Sequence, residues 1–253
     1  MNKFILYGLT AIFSFMLILI IRAPANFAWQ MIRDDIHVPE LSIYSVGGTV
    51  WNGRTRIGFR DFPVSDLTWN LKPWPLFNGA ADMEIDVKGV GHAVQSNVTI
   101  RNNTARLNNL RGTLDSEYVN QAGRRLGMQF SGELLLEEFN IVSDGAWFSE
   151  MEGLMHWTGG QMLYRDNIGF SSVTLPPLDG KLDLESGLIT LVISHQNLPL
   201  LTITLKRDGW ATVAFKARLF DLVNIPWPNG NNADDTVLII EENILTFNIL
   251  KSL

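Results

Sequence analysis

Two hydrophobic periods divide the chain. Residues 4–21 are all uncharged and sit between Lys3 and Arg22. An apolar run of that length predicts a membrane-spanning helix. Behind it, Phe27, Met31 and Ile32 recur at helical spacing, and Pro24 suits a first helical turn. A short amphipathic helix is expected there, with Trp29 at headgroup depth. From Leu41 onward the period becomes two. Residues 81–88 alternate apolar and charged, which places Ala81, Met83, Ile85 and Val87 on one face of a strand. Residues 210–219 repeat the design, with Val213, Phe215, Ala217 and Leu219 turned inward. The β-branched runs 188–194 and 198–205 read as a hairpin about Gln196-Asn197. Asn78-Gly79, Asp179-Gly180 and Asp208-Gly209 are further turn signals. Gly48, Gly112, Gly132 and Gly180 each precede an apolar residue by two positions and are expected to mark strand starts. Past the turn-rich stretch 226–232, the runs 237–240 and 244–250 supply a terminal strand or hairpin.

These elements predict an all-β body outside the cytoplasm, an antiparallel β-sandwich or an open curved β-sheet, behind one N-terminal transmembrane helix. The expected divisions are a cytoplasmic tail at 1–3, the anchor at 4–21 and a juxtamembrane helix or linker at 22–40. A β-domain then fills 41–253, with candidate halves near 41–120 and 125–253. A cleaved signal peptide competes for the first segment, since Ala23-Pro24-Ala25 has the small-x-small pattern of a cleavage site. The run exceeds the roughly 7–15 residues of a signal core, and Arg22 follows it directly, so an uncleaved anchor is the better reading. Lys3 on one side nearly balances Arg22 and Arg33 on the other. The inward-facing tail therefore rests on its shortness.

Composition removes several kinds of function. A net charge of −6 and the lack of any Lys/Arg run argue against a nucleic-acid partner. With no cysteine there is neither a disulfide nor a thiolate metal site. His37, His92, His156 and His195 are scattered, and none has metal-ligand spacing. There is no nucleophile elbow and no P-loop. Gly89-Val90-Gly91 lacks the third glycine and the following helix of a dinucleotide site, so it reads as a turn. Glu137 and Glu138 are strand neighbours on opposite faces, poorly placed for paired acid/base work. Asn97 and Asn102 open glycosylation sequons, a pattern short enough to arise by chance. No catalytic residue, cofactor or metal is expected.

Tryptophan stands out, with eight copies. One stretch is Gly48-Thr49-Val50-Trp51-Asn52-Gly53. Another is Trp69-Asn70-Leu71-Lys72-Pro73-Trp74-Pro75-Leu76-Phe77-Asn78-Gly79. This pairing, behind an N-terminal anchor, resembles the type II secretion system protein N family. Gly153-Leu154-Met155-His156-Trp157 and Gly132-Glu133-Leu134 are similar to that family's second half. A weaker likeness is to the AsmA-like envelope proteins, whose β-repeats form lipid-handling grooves. The resemblance implies an accessory, non-enzymatic component of the cell inner membrane, single-pass, with its C-terminal body in the periplasm. It would support export of folded proteins across the outer membrane through contacts with other type II secretion system proteins. The alternative is an anchored periplasmic lipid carrier with a β-groove. Trp51, Trp69, Pro73 and Trp74 carry the motif. They are candidates either for core packing or for partner or lipid contact.

Overall fold

The computed structural model describes residues 2–34, 40–59, 62–123, 129–165, 169–226 and 232–243. Two helices lead the chain, α1 (Asn2–Ile21) and α2 (Ala25–Ile32). Thirteen strands then form one antiparallel sheet: β1 (Leu41–Gly48), β2 (Asn52–Phe59), β3 (Ser65–Lys72), β4 (Ala80–Gly89), β5 (His92–Arg101), β6 (Thr104–Asp115), β8 (Glu133–Ser143), β9 (Phe148–Trp157), β12 (Leu178–Glu185), β13 (Leu188–His195), β14 (Leu198–Leu205), β15 (Trp210–Lys216) and β16 (Thr236–Asn243). Each pairs with its predecessor in that order. The strands that leave the series, β7 (Gln129–Phe130), β10 (Gly160–Arg165) and β11 (Phe170–Leu175), make a separate three-stranded sheet. Three short helices fill connections: α3 (Pro73–Leu76), α4 (Ser116–Gly123) and α5 (Ala217–Leu222).

Register explains the sheet. Residues directly opposite across a ladder share a face. Partner by partner, one row crosses all thirteen strands: Val46, Thr55, Leu67, Val87, Val94, Gly112, Leu136, Met155, Gly180, Ile193, Leu201, Phe215 and Leu238. No member is charged. The neighbouring row on the other face contains Arg56, Asp66, Lys88, Thr113, His156 and Asp179. The sheet is thus apolar on one side and largely polar on the other. Of the two expected architectures, the open sheet is the observed one, and the sandwich is not formed. Alternation could not separate them, because it requires only that one face be apolar and says nothing of what covers it. Most of the apolar row is half-buried. The most buried apolar side chains, among them Ala25, Phe139, Val142, Leu175, Leu200 and Ala217, are scattered over several elements. They do not gather into one core.

The anchor expected over 4–21 is not supported as a membrane span. Among the described residues no helix is long and apolar enough to cross a membrane. Side chains are described for residues 7–21 of α1. Every one of those residues is nevertheless exposed, and most are large and apolar. The β-body therefore does not cover α1.

Several local expectations are corrected. The strand predicted over 210–219 stops at Lys216, and Ala217 and Leu219 lie in α5, whose Ala217 is fully buried. Asp179-Gly180 is inside β12 and makes no turn. Gly48 closes β1 and Gly112 is interior to β6, so only Gly132 of the four glycines precedes its strand. Other glycines in the sheet make room for large neighbours. A Cβ on Gly53 would overlap the Trp69 ring, one on Gly153 the Phe139 ring, and one on Gly180 the Met155 side chain. The turns at Gln196-Asn197 and Asp208-Gly209 form as expected. Both residues of Gln196-Asn197 have positive φ, as do Asn102 and Asn103, the pattern of a type I′ hairpin. The predicted run 244–250, the 227–231 part of the preceding loop and His37 lie outside the described residues.

A Cβ on Gly112 would overlap the Ala93 carbonyl oxygen and approach Val94 Cα at 2.7 Å, both fixed backbone. Gly112→Ala should therefore destabilise the body by about 2 kcal/mol. Gly180→Ala, which meets a flexible Met155, should cost less than about 1 kcal/mol. Urea midpoints of the two variants check the order, and equal midpoints would contradict it.

Candidate functional site

The motif residues converge on one end of the sheet, where the β1–β2 and β3–β4 connections lie beside the end of α1. The Trp51 indole Nε1–H donates to the Ile20 carbonyl at 2.8 Å, in the last turn of α1, where the Ala23 N–H also donates to it at 3.3 Å. The Val50 N–H donates to the Ala23 carbonyl at 2.9 Å, and Pro24 bridges to Thr49. On the sheet side, the Leu71 N–H donates to the Trp51 carbonyl at 2.7 Å. The Trp69 indole donates to the Val50 carbonyl at 2.9 Å, while its ring lies over Gly53, its partner across the ladder. In this clasp, two of the bonds tie the α1–α2 joint to the β1–β2 turn, and the other two tie that turn to β3. The segment Gly-x-x-Trp-x-Gly works because Gly53 leaves the ring-sized space that Trp69 fills.

Pro73 and Trp74 have a different situation. Pro73 begins α3 at a position where its missing N–H costs nothing. The turn then carries Trp74 and Phe77 out of the sheet, 78% and 82% exposed, with ring centroids 6.0 Å apart. Directly before it, Lys72 lies 3.1 Å from Glu84 and 3.9 Å from Asp82. Its hydrogen bond to Glu84, with the charge of Asp82, holds the ammonium above its ordinary pKa. That leaves residues 73–81 without a charged side chain. The structure therefore brings Trp51 and Trp69 together in the clasp and puts Trp74 on the surface beside it.

Elsewhere the polar groups are structural. His92 is buried, with Nε2 2.8 Å from Ser65 Oγ, Nδ1 3.2 Å from the Val90 carbonyl and its ring 4.3 Å from that of Tyr118. A serine–histidine contact at that distance is half of a nucleophilic pair. Here Ser65 is itself buried and no carboxylate orients the ring, so the contact holds β3 to β5. His156 pairs with Asp179 across β9 and β12 at 2.8 Å, and His195 bonds the Pro177 carbonyl at 2.8 Å. No group of three metal-ligating side chains occurs among the described residues. A shallow depression of about 430 Å³ on the polar face is lined by Thr68, Asn70, Glu84, Asp86 and Arg111, among others.

With that geometry in place, the comparison with protein families is decisive. Residues 39–220 match the family model described as Type II secretion system (T2SS), protein N. The chain belongs to the type II secretion system protein N family. No curated protein and no solved structure matches it. The matched span contains the sheet half of the clasp, all of α3 and the apolar row from Val46 through Phe215. As a member of that family the chain is a type II secretion system component, in line with the resemblance carried by its tryptophan segments. Sequence reasoning missed the division of labour among those tryptophans. The signal was present in Gly53, two residues after Trp51, but its pairing with Trp69 is a property of register.

Trp69→Ala should cost about 3 kcal/mol, from lost ring packing and one unpaired carbonyl, and should lower the cellular level of the protein. Trp74→Leu should stay within about 0.5 kcal/mol of the parent. Denaturation midpoints together with immunoblots check both, and a large loss from Trp74→Leu would show that its ring packs against the body.

Proposed function

We propose that this chain is an accessory, non-enzymatic component of the type II secretion system that acts from the periplasmic side of the inner membrane. It supports export of folded proteins through contacts with other components. The observation that carries this reading is the family match over 39–220. Its membrane association is supported by α1, whose exposed apolar side chains need a cover that the β-body does not supply. A manner of contact is supported by the sheet edges. The β1 edge is interrupted by a register shift at Ile43/Ser45 and adjoined by α2. The β16 edge has no strand beyond it among the described residues, and Ile239 and Ile240 on its two faces are both about half-exposed. The β15–β16 pairing also has a register shift, at Phe215/Lys216, and Glu241 and Glu242 follow the two isoleucines, so the stretch of this edge that is a template for an added strand is the one around Ile239 and Ile240.

One observation favours a second reading, a lipid-carrying body. The uncharged row from Val46 to Leu238 is continuous over thirteen strands and only half-buried, as an acyl-chain track would require. Photo-crosslinking separates the two. Under the first reading, a photoreactive residue at Ile239 yields adducts with other secretion-system proteins in the native host. Ile239→Lys then lowers secretion several-fold at unchanged protein level. Under the second, a photoreactive residue at Leu201 yields lipid adducts and Ile239→Lys is silent. If deleting the whole chain leaves secretion intact, the proposed role in export is wrong.

A further inference from the structure

We infer that α3 and the turn after it form an aromatic foot that enters the lipid headgroup region beside α1, giving the body a second point of membrane contact. This rests on the membrane-associated reading above and adds a site to it. Placement comes first. Trp51 donates to Ile20 near the end of α1 and accepts from Leu71, and Pro73 follows two residues later. The foot is therefore tied by two hydrogen bonds to the point where α1 leaves the body. An apolar surface that covers α1 must extend to that point.

Chemistry comes second. The segment 73–81 has no charge, and Pro73, Trp74, Leu76 and Phe77 are exposed. The other hairpin turns at the same end of the sheet are polar: Asn102-Asn103, Ser186-Gly187 and Arg207-Asp208. Among the described residues at this end, only the α3 turn carries large apolar side chains that are more than three-quarters exposed; Ile100 and Trp210, beside two of the other turns, are under half exposed, and the turn at 144–147 tucks Trp147 partly inward. Tryptophan rings favour the membrane–water interface, because the body of the ring is apolar and its N–H remains hydrated. Two prolines brace the segment, so little conformational freedom remains to be lost on insertion. Arg22, beside the end of α1, and Arg101, beside the turn at Asn102-Asn103, lie exposed at this end and offer positive charge to anionic headgroups.

The chain has no cysteine, so single-cysteine labelling reports one position at a time. The full-length protein is reconstituted into phosphatidylethanolamine–phosphatidylglycerol vesicles containing nitroxide-labelled lipid. An environment-sensitive fluorophore is placed by Ile12→Cys, Phe77→Cys or Val90→Cys, the last being exposed at the opposite end of the sheet. The expected result is that the labels at 12 and 77 shift to the blue and lose most of their emission to the nitroxide, while the label at 90 does neither. Quenching at 12 but not at 77 would overturn the foot and leave membrane association intact. Failure to quench at 12 would overturn the membrane reading itself. A blue shift at 77 without quenching would also overturn the foot, showing cover by protein. Trp74→Ser should reduce the quenching at 77 several-fold without unfolding the exposed turn.

Discussion

The structure depends on one constraint, an uncharged row that runs through thirteen strands without, among the described residues, a second sheet of matching size to lie against. Each strand contributes its alternate side chains to that row, and each antiparallel pairing passes the same face to the next strand. Nothing in such a meander closes it. The exposed surface shows the result: 17230 Å² for 28.4 kDa, where a compact chain of that mass would expose roughly 11,000 Å². The projecting α1 and the uncovered sheet both contribute to that excess. Cross-strand contacts must then hold the body, which is why large side chains recur over glycines. Trp69 over Gly53, Phe139 over Gly153 and Met155 over Gly180 bury a large side chain within a single layer.

The same economy shapes the tryptophan motif. A single-layer sheet cannot grip a helix through a packed core, so the link to α1 is made of hydrogen bonds to the carbonyls around its end. Trp51 and Val50 supply two of them, and Trp69 fixes the loop that presents both. Motion of α1 must therefore be felt first by β1–β3. The α3 turn is rooted in the last of these strands. Aromatic residues that stand together in the sequence thus divide into those that transmit the position of α1 and those that meet whatever lies outside.

Much of this was legible because period two and left-handed turn residues are local. The alternation at 81–88 fell on β4, and Gln196-Asn197 and Gly89-Val90-Gly91 made their turns. What failed was non-local. Glycine was read as a marker of strand starts, yet Gly112 and Gly180 are interior because of what lies across the ladder. At 217–219 the alternation persisted while the chain turned helical and buried Ala217. Sandwich and open sheet share one pattern, and only a list of which faces touch could separate them. For the site, the motif drew attention to Trp51, Trp69, Pro73 and Trp74. Whether each ring packs or protrudes followed from register and could not be read from spacing.

The extent of the family match bears on how these surfaces are ranked. It begins at residue 39 and ends at 220, so it includes the apolar row through β15, the tryptophans of the clasp and the exposed α3 turn. It stops short of β16. The matched span therefore holds both faces of the sheet from β1 to β15, the small sheet and the α3 turn, and β16 lies beyond it. An open face and an open edge are not independent features, since both follow from a meander that neither closes nor stacks.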